Sequence, residues 1–118
     1  WGEWSAPPAV SHTTNAHGCL SLADHSVVVE HRAHVHTTLD RCSKDCWGAS
    51  ECTARCVARI GLSTRCSLCF GEVNACTKRF CLSHCAADPD SDACRACSFE
   101  RCSEDYAACL GVPRELVP

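Results

Sequence analysis

Two cysteine pairs, Cys42-Ser-Lys-Asp-Cys46 and Cys52-Thr-Ala-Arg-Cys56, joined by Trp47-Gly48-Ala49-Ser50-Glu51, decide how this chain is read. Residues four apart share one face of an α-helix. Trp47-Gly48-Ala49-Ser50 reads as a turn, with Ser50 as N-cap ahead of Glu51. Two short antiparallel helices then face each other, and nested bridges Cys42–Cys56 and Cys46–Cys52 would join them. Spacing alone leaves the connectivity open.

The same texture continues toward the C-terminus. Gly61 stops the second helix, and Ser63 or Thr64 caps a third that carries Cys66, Cys69 and Cys76. Cys81 and Cys85 lie on its continuation or on a short further helix. Asp88-Pro89-Asp90-Ser91-Asp92 is a break and restart, since carboxylates favour the positive end of a helix. Cys94, Cys97, Cys102 and Cys109 follow, and Leu110-Gly111 with Pro113 closes the last helix.

Composition explains why cysteines carry this fold. The chain has 118 residues and 14 cysteines, about 12% of positions, above the ~8–10% that marks disulfide scaffolds. Leu, Ile, Val and Phe together number only 21, under the ~20% below which a chain struggles to bury a core. Residues 42–109 hold thirteen cysteines. An odd thirteen requires Cys19 to bridge into that block.

Fourteen thiols point to an oxidising compartment. The absence of Met, with Trp1 first, suggests removal of a targeting segment. Net charge of −3 excludes a general nucleic-acid binder, and no apolar run reaches the ~18 residues of a membrane span. Residues 41–84 carry seven bases against three acids, whereas 85–110 carry two bases against six acids. Such segregation suits solvated faces and internal complementarity before it suits a charged partner.

The expected organisation has three parts. Residues 1–41 form an extended arm containing His and Pro. Within it Val27, Val29, His31, Ala33, Val35, Thr37 and Leu39 form one face and Val28, Glu30, Arg32, His34, His36 and Thr38 the other, which with the β-branched content predicts a strand over 27–39. Residues 42–111 form the stapled helical core, and 112–118 a tail. The fold class is therefore a small, disulfide-rich, mainly α protein of stacked short helical hairpins with an extended N-terminal arm.

Candidate chemistry is sparse. Cys66-Ser-Leu-Cys69 and Cys94-Arg-Ala-Cys97 match a zinc pattern, but ten further cysteines at helical spacing favour disulfides. Neither motif follows a strand in a βαβ unit, as a thioredoxin-like site requires. Six of seven histidines lie in the arm (His12, His17, His25, His31, His34 and His36). In a strand His34 and His36 would point the same way and offer two metal ligands, which is too few for a site. His84 beside Cys85 suggests a Cys/His pair only if Cys85 is unbridged. A secreted phospholipase A2 has a comparable cysteine count, but this chain lacks Gly-Gly, Cys-Cys and His-Asp. No enzyme, cofactor or metal is expected.

The tails remain. Trp1, Trp4, Pro7 and Pro8 at one end, and Leu116 and Val117 at the other, are apolar groups without local structure and are the expected partner-binding residues.

The stretch Cys76-Thr-Lys-Arg-Phe-Cys-Leu-Ser-His-Cys-Ala-Ala-Asp-Pro-Asp-Ser-Asp-Ala-Cys-Arg-Ala-Cys97, with Tyr106-Ala-Ala-Cys-Leu-Gly111, is similar to a loosely defined family of small Cys-rich proteins in protists, notably algae of the alveolate lineage. The match covers about a third of the chain and leaves out Trp1 to Arg41. The resemblance implies secretory or plastid-lumen residence and supplies no catalytic residues. It further implies that some members are accessory subunits on the lumenal face of algal photosystem I. The resulting expectation is a non-enzymatic extrinsic subunit that binds other protein subunits in the thylakoid lumen, peripheral to a membrane complex. A secreted binding or signalling module is the first alternative, and a metal-binding protein using the His-rich arm the second.

Overall fold

Three serines start three helices in the same way. Ser21, Ser63 and Ser91 each accept, through Oγ at 3.1 Å, the backbone N–H three residues on, from Asp24, Cys66 and Cys94. Each satisfies a donor that has no partner inside its helix. The computed structural model describes residues 18–118, within which five α-helices follow one another: α1 Leu22–Glu30, α2 Arg32–Asp45, α3 Ser50–Ala58, α4 Thr64–Cys85 and α5 Asp92–Leu110. A short 3-10 helix, Arg114–Leu116, ends the chain.

The expected strand over 27–39 is helical, and the helical core begins at residue 22 rather than 42. The β-branched alternation hides a second period. Val28, Val35, Thr38 and Cys42 are buried at spacings of seven, three and four, which form one helix face. Packing of that face overrides the local β preference of Val and Thr. The chain bends at His31, between α1 and α2, where the backbone leaves helical values. Ser50 is the first helical residue of α3 and Ala49 holds the cap position, one residue from the expected place.

All 14 cysteines pair. Cys42–Cys56 and Cys46–Cys52 nest between α2 and α3. Cys19–Cys66 ties the start of the described chain to the first turn of α4. The other four bridges zip α4 to α5 as antiparallel rungs: Cys69–Cys109, Cys76–Cys102, Cys81–Cys97 and Cys85–Cys94. Steps of seven, five and four residues along α4 meet steps of seven, five and three along α5. Cα atoms across the rungs are 4.7–6.0 Å apart, within the usual disulfide range. α4 kinks at the third rung, where Cys81 takes φ −123° and ψ 16°.

Sulfur is also core filling. Nine cysteines are buried alongside Val28, Val35, Val57, Phe70, Tyr106 and Leu110, and buried sulfur behaves as a small apolar group. Phe70 on α4 meets Tyr106 on α5 edge-to-face at 5.8 Å and 82°, a favoured aromatic geometry. A polar link crosses three helices: Ser43 donates to Asn74 Oδ1 at 2.6 Å, and Asn74 Nδ2 donates to Thr53 Oγ1 at 2.8 Å. Gly71 lets α3 lie directly on α4, since a Cβ there would collide with the Ser50 carbonyl and come within 3.2 Å of Ala54 Cβ. Gly111, at φ 76°, ends α5 in the left-handed conformation, and its N–H donates to the Ala107 carbonyl.

Candidate functional site

Helices α2, α4 and α5 do not close completely against one another. They leave a cleft of about 810 Å³ whose walls include Leu39 from α2, Val73 and Leu82 from α4, Phe99 from α5 and Val117 from the tail. Its size lies within the ~300–1,000 Å³ typical of small-molecule sites. Three buried polar side chains line it: Asn74, Ser103 and Tyr106. Asn74 is used by the link to Ser43 and Thr53. Ser103 accepts from Arg114 Nε at 2.8 Å and donates to the Phe99 carbonyl. The Tyr106 hydroxyl is buried and has no hydrogen-bond partner. Burial holds its pKa well above the ordinary phenol range, and the nearby charge of Asp40 adds to the effect.

The mouth carries a charged strip. His36 Nε2 lies 3.3 Å from Asp40, one helical turn on, and Lys44 pairs with Asp90 at 2.7 Å. Burial raises the pKa of Asp40; the His36 charge opposes this, and the neighbouring carboxylate of Asp90 reinforces it. Asp90 is shifted the other way, chiefly by its hydrogen bond from Lys44. Asp90 Oδ1 is buried and has no hydrogen-bond partner.

Trp47 stands beside the cleft at the tip of the α2–α3 hairpin. It is 86% exposed and adopts φ 54°, followed by Gly48 at φ 77°. A bulky residue is rarely held left-handed. Lys78 Nζ donates to the Trp47 carbonyl at 3.1 Å and fixes the tip against α4.

The residues singled out from the sequence are distributed unevenly over this structure. Trp1, Trp4, Pro7, Pro8, His12 and His17 lie outside the described residues. Leu116 is partly exposed, whereas Val117 packs against the core and lines the cleft. The tail is therefore fastened along α5, with Arg114 also stacked over Phe99 at 4.7 Å. His34 and His36 sit on a helix, where a two-residue step turns by about 200° and separates them. The paired-ligand geometry that a strand would have provided is gone, and among the described residues no three potential ligands converge. Cys85 is bridged to Cys94, so His84 has no thiol beside it. Both Cys-x-x-Cys motifs are split among four different bridges.

Tyr106 and Trp47 were not marked by sequence reasoning as site residues. A Trp immediately before a turn glycine was the one available signal; a tyrosine on a helix carries none.

A second feature lies at the chain ends. Gly18 N–H donates to the Cys109 carbonyl at 2.8 Å, which sets the first described residue beside the last turn of α5. Next to this junction Leu20 and Leu22 are 65% and 90% exposed, and Val29, seven residues after Leu22, continues the same helix face.

No family model, curated protein or solved structure matches this chain. The seven bridges fit an oxidising or secreted compartment. No helix among the described residues is long and apolar enough to cross a membrane.

Proposed function

We propose that this chain is a non-enzymatic accessory protein that docks on a larger protein assembly through its terminal junction. The observation that carries the reading is the exposed apolar run Leu20, Leu22 and Val29 beside the Gly18–Cys109 contact. Leucines this exposed become useful when a partner covers them, at about 1.5–3 kcal/mol per buried side chain. Trp1 and Trp4, which precede Gly18 in the sequence, add the residue type most favoured at interface centres. The disulfide-filled core gives the docking face a rigid base. The resemblance of residues 76–111 to the alveolate algal family extends the proposal to a place: the lumenal side of photosystem I, in the thylakoid lumen.

The test is co-isolation. In particles solubilised from cells that make the protein, the chain is expected to sediment with a large assembly. Leu20→Glu with Leu22→Glu should lower that association more than tenfold while leaving helicity and the seven bridges unchanged. Sedimentation as a free protein, or undiminished association of the double variant, would refute the proposal.

A further inference from the structure

The cleft between α2, α4 and α5 is a different surface from the terminal junction, and its chemistry is specific. Its walls are apolar, and its other buried polar groups, Asn74 and Ser103, are already hydrogen-bonded. One hydroxyl, that of Tyr106, is 95% buried by residue and lacks a partner. Leaving such a group unpaired is costly. We propose that this cleft binds an uncharged amphipathic lipid, an apolar chain or ring system ending in a single hydroxyl or carbonyl oxygen that accepts a hydrogen bond from Tyr106.

Two features select the head group. Tyr106 keeps its proton across the physiological range, so it acts as a donor and calls for an acceptor. Asp40 acts on the same hydroxyl and also lines the cleft. An anionic head placed at Tyr106 would meet that acidic neighbour. Of the cations lining the cleft, Lys44 is paired with Asp90, Lys78 donates to the Trp47 carbonyl, and the charge of Arg95 acts on the two carboxylates Asp40 and Asp90. A neutral oxygen is favoured over a carboxylate. Trp47, exposed and held left-handed at the rim, is placed to lie over the apolar end of the ligand.

The oxidised full-length chain can be titrated with N-phenyl-1-naphthylamine, a neutral apolar fluorophore, and the bound dye then displaced with hexadecan-1-ol or hexadecanoate. Saturable one-to-one dye binding is expected, with hexadecan-1-ol the better competitor. Tyr106→Phe should weaken hexadecan-1-ol about three- to tenfold, the worth of one hydrogen bond, a larger change than it makes in dye affinity. Leu82→Arg, at a wall position 56% exposed and so free of folding demands, should lower dye binding severalfold. Absence of saturable dye binding overturns the site. Equal competition by hexadecanoate, or an unchanged Tyr106→Phe variant, overturns the head-group assignment. Dye binding that emerges only in the Trp1→Ala, Trp4→Ala variant would make residues 1–17 the occupant, and binding that emerges only on dissociation of a dimer would make it a second copy. Either result overturns the proposal.

Discussion

The carboxylate of Asp24 holds Ser63 twice: Oδ1 accepts from the Ser63 backbone N–H at 2.9 Å and Oδ2 from its hydroxyl at 2.6 Å, across 39 residues of sequence. Ser63 in turn caps α4 and accepts from Cys66, the bridge partner of Cys19. One buried acid therefore joins the first turn of α1 to the start of the longest helix.

Removing that acid should be costly. Hydrogen bonds to a charged group contribute about 1.5–3 kcal/mol each, and Asp24→Ala leaves two donors unmet. A loss of about 2–4 kcal/mol in guanidinium unfolding is expected, with disulfides intact. A double-mutant cycle with Ser63→Ala should give a coupling above about 0.5 kcal/mol; strict additivity would disprove the link.

The bridges should differ in worth according to what else closes the same ring. Cys19–Cys66 is the one covalent cross-link between residues 18–41 and the rest, and its loop corresponds to about 4 kcal/mol of chain entropy. Cys76–Cys102 lies five residues from Cys81–Cys97 along both helices, and that neighbour already restrains its ends. Replacing Cys76 and Cys102 by Ala should cost about 1 kcal/mol less than replacing Cys19 and Cys66. Amide exchange should show α1 opening only in the second variant. Equal costs would contradict this account.

Gly71→Ala tests the contact between the two halves of the core. The new methyl meets the Ser50 carbonyl and Ala54, so a loss of about 1–3 kcal/mol is expected from overpacking. Exchange protection should fall in α3 and persist along the α4–α5 rungs. A neutral substitution would show that α3 does not rest on Gly71.

The acidic pair at the cleft mouth sets a pH dependence. Asp40 is flanked by His36, Asp90 and Arg95 and faces Tyr106, and its folded pKa lies above the ordinary carboxylate value. Its contribution is therefore fully present below that ordinary value and is lost as pH rises through the raised one. Asp90, lowered mainly by Lys44, acts oppositely: its contribution is present above the ordinary value and lost as pH falls through the lowered one. Stability should rise as pH falls from neutral into the mildly acidic range, then decline in stronger acid. Asp40→Asn keeps a donor beside Asp90 and should flatten the mildly acidic limb; an unchanged profile would remove Asp40 from this role.

Local signals made much of the stapling readable. Four-residue cysteine spacing around Trp47-Gly48 located the α2–α3 hairpin and its nested bridges, and the parity of the cysteine count connected Cys19 to the block. Ser63 and Gly111 ended their helices where side-chain capping and left-handed backbone freedom place them. The region 27–39 misled because three consecutive valines and two Thr carry a β preference, while the burial period of Val28, Val35 and Thr38 shows only in the folded packing. The pairing of α4 with α5 could not be read from Cys-x-x-Cys spacing, since each motif sends its two sulfurs to different partners. The cleft was invisible because it is assembled from α2, α4, α5 and the tail, and no single segment carries its pattern.

The bridges also determine where a pull on the two ends would travel. Tension entering at Cys19 crosses to Cys66, runs three residues to Cys69, and leaves through Cys109. Almost the whole polypeptide, from 20 to 65 and from 70 to 108, hangs off this covalent short cut as unloaded side loops. A protein anchored by both termini could thus be tugged by moving neighbours while α1, α2, α3, most of α4 and α5, and the Asp24–Ser63 clasp stay outside the loaded path.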